Sequence, residues 1–220
     1  MSLRRNSSWK VERVELGDRG YLIWVTKNPA TKDEFMEPLT SEREIRLKHF
    51  NPKRGDVVID VGAQYGNYTL DACSLGARVY AFEPNPQSYE ILKRNVELNR
   101  FDNCSLFNLG LWNENGEISI EDYAPHSGWR GKFKTITLDR WVESNEIDRI
   151  DFIKIDTEGA ELEILKGGLN TLRRFKPKLI VEVHTFVKES LLSDVENYLK
   201  DLGYECEKIP RPPAVMIYGI

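Results

Sequence analysis

Several ionisable residues close hydrophobic runs, the places where a parallel sheet presents its ligands. In Asp151-Phe152-Ile153-Lys154-Ile155-Asp156, alternation puts Lys154 and Asp156 on one face; in Lys178-Leu179-Ile180-Val181-Glu182-Val183-His184, Glu182 and His184 share a face. If the two strands are parallel neighbours in simple register, Lys154 is expected beside Glu182 and Asp156 beside His184. The first pair would then neutralise itself inside the sheet, since a lone buried charge is costly. The second pair falls at the carboxyl ends of the strands, where doubly wound sheets bind ligands. Asp156, Glu182 and His184 also have the donor chemistry of a divalent-metal site, but oxygen-rich clustering alone does not establish coordination and no metal is assigned. Asp156 and Glu158 have a structural alternative, capping the next helix, with Thr157 as another cap.

A second group of residues lies upstream. Val57-Val58-Ile59-Asp60-Val61 reads as a central strand covered on both faces, and Gly62-Ala63-Gln64-Tyr65-Gly66 as a tight turn into a helix near residues 67–74. Unpaired helix N–H groups and the macrodipole point into such a turn and favour a nucleotide-like ligand. Ala63 and Gln64 interrupt the full G-x-G-x-x-G pattern of a dinucleotide fold. Glu83 closes the strand 78–83, 23 residues after Asp60, close to the spacing at which nucleotide folds set a carboxylate on ribose hydroxyls. Its alternative is a solvated acid ahead of the helix begun by Pro84 and Pro86.

Residues 11–16 and 21–25 read as a hairpin within an N-terminal extension (1–39), and 40–50 as a charged helix with Ile45, Leu47 and Phe50 as its apolar contacts. Strands near 57–61, 78–83, 105–109, 151–156 and 178–184 alternate with helices. A hairpin-like insertion occupies 110–137, and 204–209 with 215–218 form a last strand pair. The pattern is that of a doubly wound, Rossmann-like α/β sheet. Trp129 and Arg130 in the insertion suit stacking on a sugar-like acceptor or plain packing, and the basic run 173–178 reads as a charged connector.

With 220 residues, 40% hydrophobic, 30% charged and net charge −4, the composition does not favour generic nucleic-acid or membrane binding. Three widely spaced cysteines suggest neither a disulfide framework nor a CxxC metal site. No apolar run approaches the roughly 18–20 residues of a membrane span. The expectation is a soluble cytoplasmic protein, with a homo-oligomer left open.

The blocks Asp60-Val61-Gly62-Ala63-Gln64-Tyr65-Gly66, Phe82-Glu83-Pro84-Asn85, Phe152-Ile153-Lys154-Ile155-Asp156-Thr157-Glu158-Gly159-Ala160-Glu161 and Ile180-Val181-Glu182-Val183-His184 resemble the FkbM family of S-adenosylmethionine-dependent methyltransferases. The resemblance spans roughly residues 40–218. Gln64 departs from it, standing where relatives usually carry Asn, another neutral amide. The resemblance implies a class I methyltransferase domain (40–220) with a seven-stranded, mostly parallel sheet and an antiparallel last strand. It further implies S-adenosyl-L-methionine as cofactor and O-methylation of a hydroxyl on a glycan or small metabolite.

On that reading Asp60, Gly62, Ala63, Gln64 and Gly66 bind the methionine end, Glu83 and Pro84 the ribose side, and Asn108 is the candidate near adenine. His184 is the expected general base, with Asp156 orienting it and Glu158 grouped with them. Nucleic acid is an unlikely partner: no Asp/Asn-Pro-Pro-Tyr element follows the 152–156 strand, although an RNA 2'-hydroxyl acceptor is kept as an alternative. A nicotinamide-dependent oxidoreductase and a cofactor-binding module without chemistry complete the alternatives.

Overall fold

The structure, a computed structural model, describes residues 9–16, 19–26, 42–123 and 130–220. Trp129, one of the two expected acceptor contacts, lies outside them. Strands β1 (Trp9–Leu16) and β2 (Arg19–Thr26) pair as an antiparallel hairpin, followed by helix α1 (Arg43–His49). The central unit then runs β3 (Val57–Val61), α2 (Asn67–Ser74), β4 (Arg78–Phe82), α3 (Pro86–Asn99) and β5 (Cys104–Phe107). Next come β6 (Gly110–Leu111), β7 (Gly116–Ser119), α4 (Ile120–Tyr123), β8 (Lys132–Ile136) and α5 (Leu138–Ser144). The chain ends with β9 (Phe152–Asp156), α6 (Glu161–Gly167), α7 (Leu169–Phe175), β10 (Lys178–Val183), α8 (Leu191–Asp201), β11 (Cys206–Arg211) and β12 (Ala214–Gly219).

Seven strands form one sheet in the order β11-β12-β10-β9-β3-β4-β5. β12 runs antiparallel to both its neighbours, while β10, β9, β3, β4 and β5 are mutually parallel. This is the expected architecture. Its order reverses beside β3, so the crevice above the carboxyl ends of β3 and β9 is the place for a ligand.

Strand alternation divides the core between the two faces. Ile59, Val61, Ile153, Ile155, Val181 and Val183 pack on one side against α5, α6 and α8 through Trp141, Ile164 and Val195. Val58, Val79, Ala81, Phe152 and Ile180 pack on the other against Leu70 and Leu92 of α2 and α3. The hairpin closes this second face. Tyr21 and Ile23 are buried in the same cluster, and the Asn99 side chain holds both the N–H and the C=O of Leu22 at 2.6 Å.

Residues 110–136 form a separate three-stranded sheet in the order β6-β8-β7 rather than a simple hairpin. Helix α1 also differs from its expected facing. Ile45 and Leu47 are half-buried, and the residues turned inward are Arg46 and His49, with Glu42 just ahead of the helix and Phe50 just behind it. Arg46 can be buried because it pairs with Asp71 at 2.9 Å, both side chains fully inaccessible, and donates to the Asn67 carbonyl at 2.7 Å.

Candidate active site

The loop between β3 and α2 is shaped by a close approach. Gly62 has φ 73°, and a Cβ there would stand 1.8 Å from the Asp156 carbonyl oxygen at the end of β9. The turn continues through Gln64 in left-handed backbone (φ 50°) to Gly66 (φ 102°), which caps α2 without a side-chain hydrogen bond. Glu83 holds the loop from the β4 side. One of its oxygens accepts from the Gln64 N–H and the other from the Asn85 N–H, both at 2.8 Å. Burial pushes its carboxyl up to about 7, against those two hydrogen bonds and the charge of Lys154. Asn108, the adenine candidate, donates to the carbonyls of Glu83 (2.8 Å) and Pro84 (3.1 Å) and so pins the start of the next loop. Beside Pro84, Val61, Phe82, Leu109, Trp112 and Phe133 line an apolar slit of about 20 Å³.

The strand-end charges meet in a register that corrects the expectation. Ile180, not Glu182, lies opposite Lys154, and Glu182 lies opposite Asp156, because β10 begins with Lys178 against Phe152. Lys154 finds its partners elsewhere: Asp60 of β3 at 3.4 Å, Asp156 at 3.5 Å and the Gly62 carbonyl at 2.8 Å. Burial alone would lower its pKa, but the carboxylates of Asp60, Asp156, Glu42 and Glu182 together outweigh burial and raise it. Asp60 is fully buried, accepts from the Thr69 hydroxyl at 2.6 Å and is not part of the cavity wall. Glu182 is held by Arg211 of β11, which also reaches Glu42 at 2.8 Å; Glu42 in turn accepts from the Tyr68 hydroxyl at 2.9 Å.

His184 follows the last residue of β10. Its Nδ1 meets the buried Glu161 carboxylate at 2.9 Å, and its Nε2 faces Asp156 at 3.8 Å and Glu182 at 3.9 Å. Burial would depress the imidazole, yet the Glu161 hydrogen bond and the charges of Asp156, Glu161 and Glu158 push it up to about 9. Neither Asp156, Thr157 nor Glu158 caps α6. Its N-cap is Ala160 with no side-chain bond, and the Gly159 N–H goes to Glu161 at 3.0 Å. Glu158 is exposed and in left-handed backbone (φ 59°), at the cavity wall.

A cavity of about 360 Å³ joins the two halves, from Gly62, Ala63, Gln64 and Asn67 at one end to Asp156, Glu158, Glu182 and His184 at the other. Phe186, 51% exposed, stands on its rim with its ring 5.5 Å from that of His184. Sequence reasoning missed Glu42, Glu161, Arg211 and Phe186. Glu161 stood inside the 152–161 block and carried a signal, whereas Arg211 arrives only through the antiparallel return of β11 and β12.

This sheet order, the glycine loop after its central strand and the acid after the next define a class I methyltransferase. Residues 60–206 match the methyltransferase FkbM domain, and the chain belongs to that family. Among similar proteins, the hexuronic acid methyltransferase AglP of Haloferax volcanii is 36% identical over 183 residues, covering 79% of this chain and 74% of AglP. The 2-O-methyltransferase NoeI of Sinorhizobium fredii is 25% identical over 153 residues, 56% of this chain and 61% of NoeI. A solved FkbM methyltransferase from Methylobacillus flagellatus shares the fold with a TM-score of 0.61 at 18% identity, covering 89% of this chain and 56% of that one.

Proposed function

We propose that this methyltransferase uses S-adenosylmethionine to methylate a hydroxyl oxygen of a glycan, with a uronic-acid-bearing saccharide as the favoured acceptor class. The observation that carries this reading is the continuous cavity between the glycine loop and the strand-end acids. The names of AglP and NoeI support the acceptor class. The excess of carboxylates on the acceptor wall favours a neutral hydroxyl over a free carboxylate as the oxygen methylated.

The chain's groups fit this cofactor. Gly62, Ala63, Gln64 and Asn67 offer close-approaching backbone to its amino-acid end, and each Glu83 oxygen keeps a lone pair for a ribose hydroxyl beyond the N–H it already accepts. The slit by Pro84 and Leu109 suits an adenine ring once the Trp112 or Phe133 side chain moves aside, since 20 Å³ is too small for a purine. Asp60 acts from beneath, fixing Lys154 and through it the Gly62 carbonyl, rather than touching the ligand. When bound, S-adenosylmethionine supplies an electrophilic methyl on a sulfonium and leaves as a neutral thioether.

Asp156 receives the acceptor's proton as its oxygen approaches in line, protonated His184 beside it holds that carboxylate in place, and Phe186 gives a sugar ring an apolar face to rest on. Calorimetry with S-adenosylhomocysteine tests the cofactor half directly: a single saturable site is expected. Absence of both binding heat and a thermal shift at millimolar ligand would refute it.

A further inference from the structure

We propose that Asp156, Glu182 and His184 form a divalent-cation site that grips the acceptor. The inference rests on the reading of this cavity as an acceptor pocket for its purpose, and on coordination chemistry for its existence. One donor atom from each residue lies within 4.8 Å of the others. Ligands at roughly 2.0–2.2 Å on opposite sides of one ion are at most about 4.4 Å apart, so a small closure completes the set.

The second observation concerns His184, which is only 6% exposed. Its Nδ1 is fixed by Glu161, itself fully buried, while Nε2 makes no hydrogen bond and is aimed between the Asp156 and Glu182 carboxylates. A carboxylate behind one ring nitrogen with the other nitrogen facing open donors is the arrangement that orients histidine ligands on metals. The charge balance points the same way. Glu42, Asp60, Asp156, Glu158, Glu161 and Glu182 surround Lys154 and Arg211, while Arg46 is already paired with Asp71. Arg211 can release Glu182 to an ion because Glu42 still holds its other guanidinium nitrogen at 2.8 Å.

The mixed nitrogen and oxygen donors suit a first-row divalent cation such as Mn²⁺ better than Mg²⁺, which prefers oxygen alone. Such an ion would chelate two adjacent oxygens of a saccharide and lower the pKa of a bound hydroxyl. With the ion bound, Asp156 is a ligand and no longer the proton acceptor, and exposed Glu158 at the cavity wall takes the proton and passes it to water in its place.

The test is titration of the full chain, stripped with chelator, with Mn²⁺ alone, reading the spin-resonance signal of the free ion. Saturable depletion of that signal is expected. Asp156→Asn and His184→Ala should each weaken binding at least about tenfold, and Glu161→Gln, which touches no ion, should weaken it about 10–100-fold by freeing the imidazole. Arg140→Ala, exposed on α5 and away from the cavity, keeps every donor and should bind as the parent does, and circular dichroism confirms that each variant is folded. No depletion by the folded parent at millimolar Mn²⁺, or binding indifferent to all three substitutions, overturns the proposal. Neither cofactor nor acceptor is present, so failure here is separate from failure of S-adenosylhomocysteine to bind.

Discussion

Gly62 has no room for a side chain, and the reason lies on another strand. Gly62→Ala would drive a methyl into the Asp156 carbonyl in a backbone conformation that L-residues avoid. Strain and overpacking of about 1–3 kcal/mol each give an expected loss of roughly 2–6 kcal/mol. Chemical denaturation measures it, and an unchanged midpoint would show that the loop relaxes freely. Glu83 carries a pH dependence. Its folded-state pKa of about 7 lies above the ordinary 4.5, so the native chain holds this proton more tightly than the unfolded one, and ionising the group costs stability as pH rises from 4.5 through 7. Lys154 and Asp60 are the charges that face it. A carboxylate accepting ribose hydroxyls must be ionised, so affinity for S-adenosylhomocysteine should rise by up to about tenfold per pH unit below 7 and level off above. Glu83→Gln should bind more weakly with this slope absent; calorimetry across pH 5.5 to 8.5 reads both. Glu83 was legible in the sequence because its spacing from Asp60 is set by one strand-helix-strand unit. The partners of His184 and Glu182 were less so. Glu161 sits one turn beyond the strand end and Arg211 on a returning strand, and neither position follows from alternation along β10.

At the scale of elements, β9 carries its charge where two strands and a loop share it. Lys154 touches Asp60 on β3 and Asp156 on its own strand, and holds the Gly62 carbonyl of the loop. Lys154→Met removes the cation and leaves Asp60 buried with only the Thr69 hydroxyl. The expected cost is about 3–5 kcal/mol, the range for breaking one side of a buried pair. Adding Asp60→Asn should recover part of it. Urea unfolding of the two variants checks this, and a single substitution costing under about 1 kcal/mol would show that Lys154 does not brace the sheet. The register behind this arrangement could not be read from the strands alone. A shift of two residues preserves which face every side chain occupies, so the hydrophobic pattern is silent about it. The facing of α1 was misread for a related reason: periodicity finds apolar stripes, and this helix buries Arg46 because Asp71 and the Asn67 carbonyl receive it, and His49 against the ring of Tyr218.

For the whole molecule, the alternation of buried strands with helices was sufficient to place the doubly wound sheet, and the returning last strand completed it. The insertion was harder because its strands are short and form a sheet of their own. The three cysteines carry no disulfide, and among the described residues no helix is long and apolar enough to cross a membrane. The strand ends of the assembled molecule frame a cavity whose two ends are built by different strands, donor loop and acceptor wall. The central claim is therefore a transfer of methyl to a saccharide hydroxyl. It is tested most directly by incubating the protein with methyl-labelled S-adenosylmethionine and saccharides that contain hexuronic acid, then treating the product with mild alkali. The account predicts label in the saccharide that survives alkali, as a methyl ether does. Label released by alkali would place the methyl on the carboxylate instead, and label confined to RNA, or no transfer at all, would contradict the assignment of a glycan acceptor.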